Sequence, residues 1–173
     1  MMGDFATGCD FEAFLVQTHK GGPKNDLAAL EGKRFVISSE VDVGRALAPG
    51  LIKQASGGDV IHARLLFHEG HDIEPTIKLW LACNDAPIAR HTDDALWDRI
   101  KKLPFANELP PERIDRKLKP LLCNDLRARS AILAWAVRGV LDWQKHGLKE
   151  PDEVTTATRG LRDEQAPLRD YIE

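Results

Sequence analysis

Long apolar runs are missing from this sequence of 173 residues. Its longer ones, such as Ala131–Val137, fall far short of the roughly 20 residues a bilayer-spanning helix requires. The N-terminal stretch MMGDFATGCDFEAF has neither a basic start nor an apolar centre, so no secretory leader is expected and the cytoplasm is the expected location. Cysteine is scarce and unpaired in pattern. Cys9, Cys83 and Cys123 are scattered, odd in number and form no Cys-x-x-Cys motif, which indicates neither a disulfide framework nor a zinc site and leaves reduced, packed thiols as the expectation. Charge of one sign is also lacking: a net charge of −3 argues against indiscriminate coating of nucleic acid, though not against a local basic groove. Internal repeats and low-complexity segments are absent.

What is present is ordinary globular material. An apolar share of 43% and a charged share of 29% suit one folded domain with its own core, and the length is too short for two comfortable ones.

Along the chain, Phe11, Phe14 and Leu15 recur at helical spacing within Asp10–Thr18. A turn-rich loop follows over His19–Lys24, and Asn25 or Asp26 can cap a brief helix that Gly32 stops. Arg34–Ser38 has the length and β-branched content of a buried strand in a parallel sheet. Pro49-Gly50 opens a helical turn that runs through Ala55 until Gly57-Gly58 breaks it. Val60–Phe67 and Ile73–Leu81 are strand-like runs, and His68–His71 between them is expected to form a hairpin tip. Lys78–Asn84 is expected to be a further buried strand, Asp93 opens a short helix through Arg99, and Lys101–Phe105 is expected to be a strand. After Pro110-Pro111 the pattern turns helical, with Ile132, Ala136, Val140 and Trp143 on one face and a last helix from Pro151. Trp135 and Trp143, eight apart, are expected in the core. The expected architecture is α/β: a sheet with helices between strands over residues 1–110, then a helical part over residues 111–173.

Two of the expected strands end in polar residues, at Glu40 and at Asn84. In open parallel sheets, ligands gather beyond the carboxyl ends of the strands. A carboxylate on one tip and an amide on its neighbour can hold and orient an attacking water, the layout of a nucleotide-hydrolysing motor. Either residue alone is more often a solvated strand end.

The order of segments adds to this. Asp26–Glu40, Leu51–Asp59, Ile61–Arg64, Glu74–Asn84, Ala95–Ile100, Pro104-Phe105, Ile132–Gly139, Gly147-Leu148, Pro151 and Arg162–Glu164 together resemble the superfamily 3 helicase domain of phage and plasmid primases, a group that includes poxvirus primase-helicases. The resemblance covers nearly the whole chain. It implies an AAA+-like ATPase core that uses ATP and Mg²⁺, acts on single-stranded DNA during replication, and assembles as a homo-oligomeric ring of six. On this resemblance Glu40 matches the Walker B acid, Asn84 the sensor amide beside the γ-phosphate, and Arg99 an arginine that reaches the neighbouring subunit's nucleotide. Lys53, Gly57, Gly58, Asp59 and Arg64 match the segment that shapes a DNA-facing hairpin, with Gly57, Gly58 and Asp59 as its turn. His68 and His71 at the expected tip are candidate phosphate contacts. Their HEGH spacing is one residue short of the zincin His-Glu-x-x-His, so no metal is assigned to them. The blander alternatives are a plain turn at Gly57-Gly58 and an Arg99 paired with Asp93 or Asp94 on its own helix.

One motif of such motors is missing. No Gly-x-x-x-x-Gly-Lys-Ser/Thr loop occurs: Gly32-Lys33 is followed by Arg34, and Gly21-Gly22 by Pro23. Against the family, the chain is expected to start where the helix after that loop would end and to stop near where a winged-helix segment would follow. Ser39 also stands where many Walker B strands carry a second acid, leaving Glu40 alone unless Asp42 helps, and Pro49-Gly50 departs from the family pattern. Negligible ATP hydrolysis by this polypeptide alone is therefore expected. The alternative is a non-catalytic DNA-binding or oligomer-assembly module derived from such a helicase.

Overall fold

The structure is a computed structural model, and it describes residues 2–16, 25–39, 44–63, 71–89 and 93–165. The chain divides into two compact units: residues 2–101 with 160–173, and residues 102–159.

The first unit is α/β. Its main sheet has three parallel strands, β1 (Ala6–Gly8), β2 (Phe35–Ser39) and β5 (Lys78–Ala82), in the order β1-β2-β5. Parallel neighbours cannot be joined by a tight turn, so each connection carries other elements. Between β1 and β2 lie a 3-10 turn over Phe11–Phe14, capped by the Asp10 carboxylate on the Glu12 amide, and the short helix α1 (Asn25–Ala28). Between β2 and β5 come α2 (Pro49–Gly57) and an antiparallel pair, β3 (Ile61–Ala63) with β4 (His71–Ile73). Pro49 sits in the first turn of α2, where its missing N–H costs no hydrogen bond, and Gly58 ends the helix at φ +80°. Next is α3 (Asp94–Trp97).

The expected strand Ile73–Leu81 is in fact two strands in two sheets. Pro75 lies between them, and a residue without an N–H cannot continue a ladder. The chain leaves the β3–β4 pair after Ile73 and joins β2 at Lys78, whose amide donates to the Arg34 carbonyl at 2.8 Å. The Thr76 hydroxyl anchors the crossing on the Lys33 carbonyl.

The core gathers on one side of the sheet. Val36 and Ser38 are buried with Phe14, Leu15, Leu47 and Leu96. The other face stays open: Ile37 and Trp80 are 46% and 45% exposed, and the Trp80 ring packs on Phe35 with centroids 5.8 Å apart. The expectation that β5 is buried thus fails, because no second layer of the described residues covers that face; its residues alternate exposed and half-buried. Cys83 is exposed, not packed.

The second unit is helical. It holds a 3-10 turn at Pro111–Arg113, α4 (Leu118–Asn124), α5 (Leu126–His146) and the opening turns of α6 (Asp152–Glu164), whose end from Gly160 belongs to the first unit. Asp125 separates α4 from α5 and caps the latter, its carboxylate accepting from the Ala128 amide at 2.8 Å. Gly147 at φ +74° stops α5. Lys101–Phe105 forms no strand, and Phe105 is 94% exposed. Trp135 and Trp143 are 70% and 53% exposed, which corrects their assignment to the core. The reason is geometric. A helix of seven residues packs on one of 21 and can cover little of it, so no residue from 102 to 159 is buried. Cys123, on α4, is likewise exposed. Among the described residues no helix is long and apolar enough to cross a membrane.

Candidate functional site

Because β2 and β5 are parallel neighbours with Ser39 opposite Ala82, their carboxyl ends lie at the same sheet edge. Asn84 follows β5 by two residues, in an exposed bend. Glu40 directly follows β2 in sequence and lies outside the described residues. Beneath this edge the Ser38 hydroxyl is buried without a hydrogen-bond partner among the described residues.

The other sequence candidates fall in two places. Lys53 on α2 is ion-paired and hydrogen-bonded to the Asp93 carboxylate. Asp93 in turn caps α3, accepting from the Ala95 amide at 2.9 Å. The hydrogen bond from that lysine, outweighing an opposing desolvation, holds the Asp93 carboxyl below its ordinary pKa, and the lysine's charge and the Ala95 and Leu96 amides add lesser effects in the same direction. Arg99 donates to the Ala95 carbonyl and stays exposed. It pairs with neither Asp93 nor Asp94, since Lys53 takes the first and Arg162 the second. Gly57 faces Arg99 closely, a built Cβ there lying 3.7 Å from a guanidinium nitrogen and 3.6 Å from the Asp59 carboxylate. Lys53, Gly57, Asp59 and Arg99 are therefore one neighbourhood where α2 meets α3.

The second place is the β3–β4 pair. His71 is not at its tip: it lies in β4 opposite Ala63, and its Nε2 is 3.1 Å from the Glu31 carboxylate. His62 Nδ1 is 2.8 Å from the Asp72 carboxylate on the facing strand. Arg64 and His68 lie outside the described residues. No group of three or more potential metal ligands occurs among the described residues.

Two anchors escaped the sequence reading. Arg162 binds Asp94 and places its guanidinium 6.0 Å from the centroid of the buried Trp97 ring. Gln165 accepts from the Ala89 amide at 2.7 Å and donates to the Pro87 carbonyl at 3.1 Å. Both contacts span more than 65 residues of sequence, so no local pattern announces them.

No family model matches the chain. It is similar to three viral proteins, each named a "putative helicase". The one from Acanthamoeba polyphaga mimivirus is 27% identical over 85% of this chain and 17% of its own length. That of Invertebrate iridescent virus 3 is 33% identical over 60% of this chain and 12% of its own length. That of Frog virus 3 is 27% identical over 100% of this chain and 19% of its own length. The chain thus spans less than a fifth of the length of these relatives.

Proposed function

We propose that these residues are the rear part of an ATP-driven DNA helicase motor of the superfamily 3 primase-helicase type, and that they do not turn over ATP by themselves. One observation carries the reading: β2 and β5 are adjacent and parallel, so Glu40 and Asn84 follow strand ends at a common edge. The helicase names of the viral relatives support it independently. In this reading Glu40 acts on the attacking water and Asn84 orients the γ-phosphate. Arg99 reaches a neighbouring subunit's nucleotide in a six-membered ring, and Lys53, Arg64, His68 and His71 face single-stranded DNA.

The donor set of this chain does not complete a seat for Mg²⁺-ATP. An amide and a carboxylate can orient water, but phosphate needs a nest of backbone N–H groups with a lysine, and no Gly-x-x-x-x-Gly-Lys-Ser/Thr occurs in the 173 residues. No hydrolytic step is therefore assigned to it alone. The same absence favours a second reading, a DNA-binding or assembly module without catalysis.

Turnover and binding assays separate these readings. Phosphate release with ATP, Mg²⁺ and single-stranded DNA is expected at background level for the wild type and for Glu40→Gln alike. Metal-dependent release that Glu40→Gln abolishes would contradict the inactivity. Fluorescence anisotropy with a labelled single strand is expected to report binding that weakens with salt; no binding at low salt would remove DNA from both readings.

A further inference from the structure

The three strands of the main sheet are followed by segments that pair a second time. Beyond β1, Leu15 bridges to Leu47 in antiparallel sense, with the Val16 amide donating to the Ala46 carbonyl at 2.8 Å and the Ala48 amide to the Phe14 carbonyl at 2.9 Å. Beyond β5, Ile88 bridges to Ala46 in parallel sense: its amide donates to the Arg45 carbonyl and its carbonyl accepts from the Leu47 amide, both at 2.8 Å. The order of these segments, 14–16, 45–48 and 87–89, repeats the order β1-β2-β5. Asn84 lies between the two pairings of its own strand. Ala82 is held opposite Ser39 and Ile88 opposite Ala46, so the exposed bend that carries Asn84 is fixed at both ends.

A strand that bonds on one side through Ile88 turns the Pro87 carbonyl and the Ala89 amide to the other side. Ala89 is only 4% exposed, so its N–H needs a partner inside the protein. Gln165 supplies it. The Gln165 Oε1 accepts from the Ala89 amide at 2.7 Å while its Nε2 donates to the Pro87 carbonyl at 3.1 Å. One side-chain amide thereby does what the peptide group of a further strand would do, because it offers an acceptor and a donor side by side. Gln165 is itself held in place. Its backbone amide donates to the Leu161 and Arg162 carbonyls, Leu161 is buried, and Arg162 is bound to Asp94 beside Trp97. The end of α6 thus grips both the segment after Asn84 and α3.

We propose that Gln165 is a positioning residue: by closing the outer edge of the second ladder it sets the bend that carries Asn84. It acts through Pro87 and Ala89, three and five residues after Asn84, and touches no ligand itself. The inference rests on the helicase reading only for what Asn84 is placed to do, which is to orient a phosphate.

Nuclear magnetic resonance of the full chain, labelled with nitrogen-15, is the test. Gln165→Met keeps the length of the side chain and loses both hydrogen bonds. Hydrogen exchange at the Ala89 amide is expected to quicken at least about tenfold in this variant, and the backbone and carboxamide signals of Asn84 to shift. Lys78, whose amide ties β5 to the Arg34 carbonyl, is expected to keep its protection. Gln165→Glu separates positioning from packing. At pH 7 its ionised carboxyl accepts from Ala89 but has no proton to donate to Pro87, and the Asn84 signals are expected to be displaced. At about pH 3.5, below the ordinary glutamate pKa of about 4.3, the protonated carboxyl again offers one donor and one acceptor. The Asn84 signals are then expected to return to where the wild type shows them at that pH, a recovery that space-filling alone does not produce. Asn84 signals that ignore Gln165→Met overturn the proposal, since the grip then stops at Ala89. Unchanged Ala89 exchange overturns it too, as do Gln165→Glu signals that stay displaced at the lower pH. A loss of far-ultraviolet circular dichroism in both variants makes Gln165 a residue of stability and likewise overturns it. None of these readouts uses nucleotide or DNA, so their failure is distinct from a failure of the turnover and binding assays.

Discussion

Lys53, in the second turn of α2, is bonded to the Asp93 carboxylate, and Asp93 is the residue that caps α3. One carboxylate therefore opens one helix and ties it to another, 40 positions earlier in sequence. Both side chains are about a third exposed, so the pair is a tether at the margin of the core and not a buried charge.

The tether makes stability depend on pH in a stated direction. The Asp93 pKa is depressed in the folded protein, chiefly by Lys53. A depressed carboxyl pKa contributes stability that is complete above the unfolded value, about 3.9, and is lost as pH falls through the lower folded value. Urea unfolding of the wild type at pH 7 and at pH 3 is expected to show this loss, and Asp93→Asn is expected to lessen it. Asp93→Ala should be weaker than Asp93→Asn at pH 7, because asparagine still caps the helix. Equal midpoints for the two variants would show that the cap contributes nothing.

Leu96 is fully buried beside Trp97 in the core of the sheet unit. Leu96→Ala is expected to destabilise that unit by about 2–5 kcal/mol, the range for removing a buried leucine side chain. Equilibrium denaturation followed by tryptophan fluorescence measures it. A loss below about 1 kcal/mol would mean that the site is wet or collapses freely.

Gly58 ends α2 with φ +80° and open space around its missing side chain. An alanine there meets no neighbouring atom, so any penalty is backbone strain alone. Gly58→Ala is expected to cost about 1–2 kcal/mol, the left-handed penalty for a residue with a Cβ. Gly50→Ala, in the first turn of α2 and equally uncrowded, serves as the control without a left-handed backbone.

Asn84 lies exposed in a bend beyond β5. Asn84→Ala is expected to change stability by less than about 0.5 kcal/mol, as for exposed sites without a structural partner. Any nucleotide or DNA binding lost in that variant therefore reports on contact with a ligand. A large stability loss would instead make Asn84 a structural residue and weaken its assignment as a sensor.

Local patterns located most elements of the first unit. The run Phe35–Ser39 is β2, Pro49 and Gly58 bound α2 as such residues do, and Asp93 opens α3. They failed where the outcome depends on distant partners. Ile73–Leu81 reads as one apolar run, yet it serves two sheets because Pro75 interrupts the ladder. Trp80 and Ile37 carry the side chains of a buried strand but face an uncovered side of the sheet. On α5, the apolar face identified from spacing exists, but spacing cannot say whether anything packs against it, and Trp135 and Trp143 are exposed.

Periodicity, proline and glycine by themselves determined where helices and strands form, because those choices depend on backbone geometry within a few residues. The α/β class follows from them. Tertiary structure alone decided that β2 and β5 are parallel neighbours, that Lys53 and Arg162 take the two aspartates before and at the start of α3, and that Trp135 and Trp143 of α5 are exposed. Each of these is a contact, or a missing contact, between segments far apart in sequence. Its free energy depends on what the rest of the fold brings close, which no local window of residues contains.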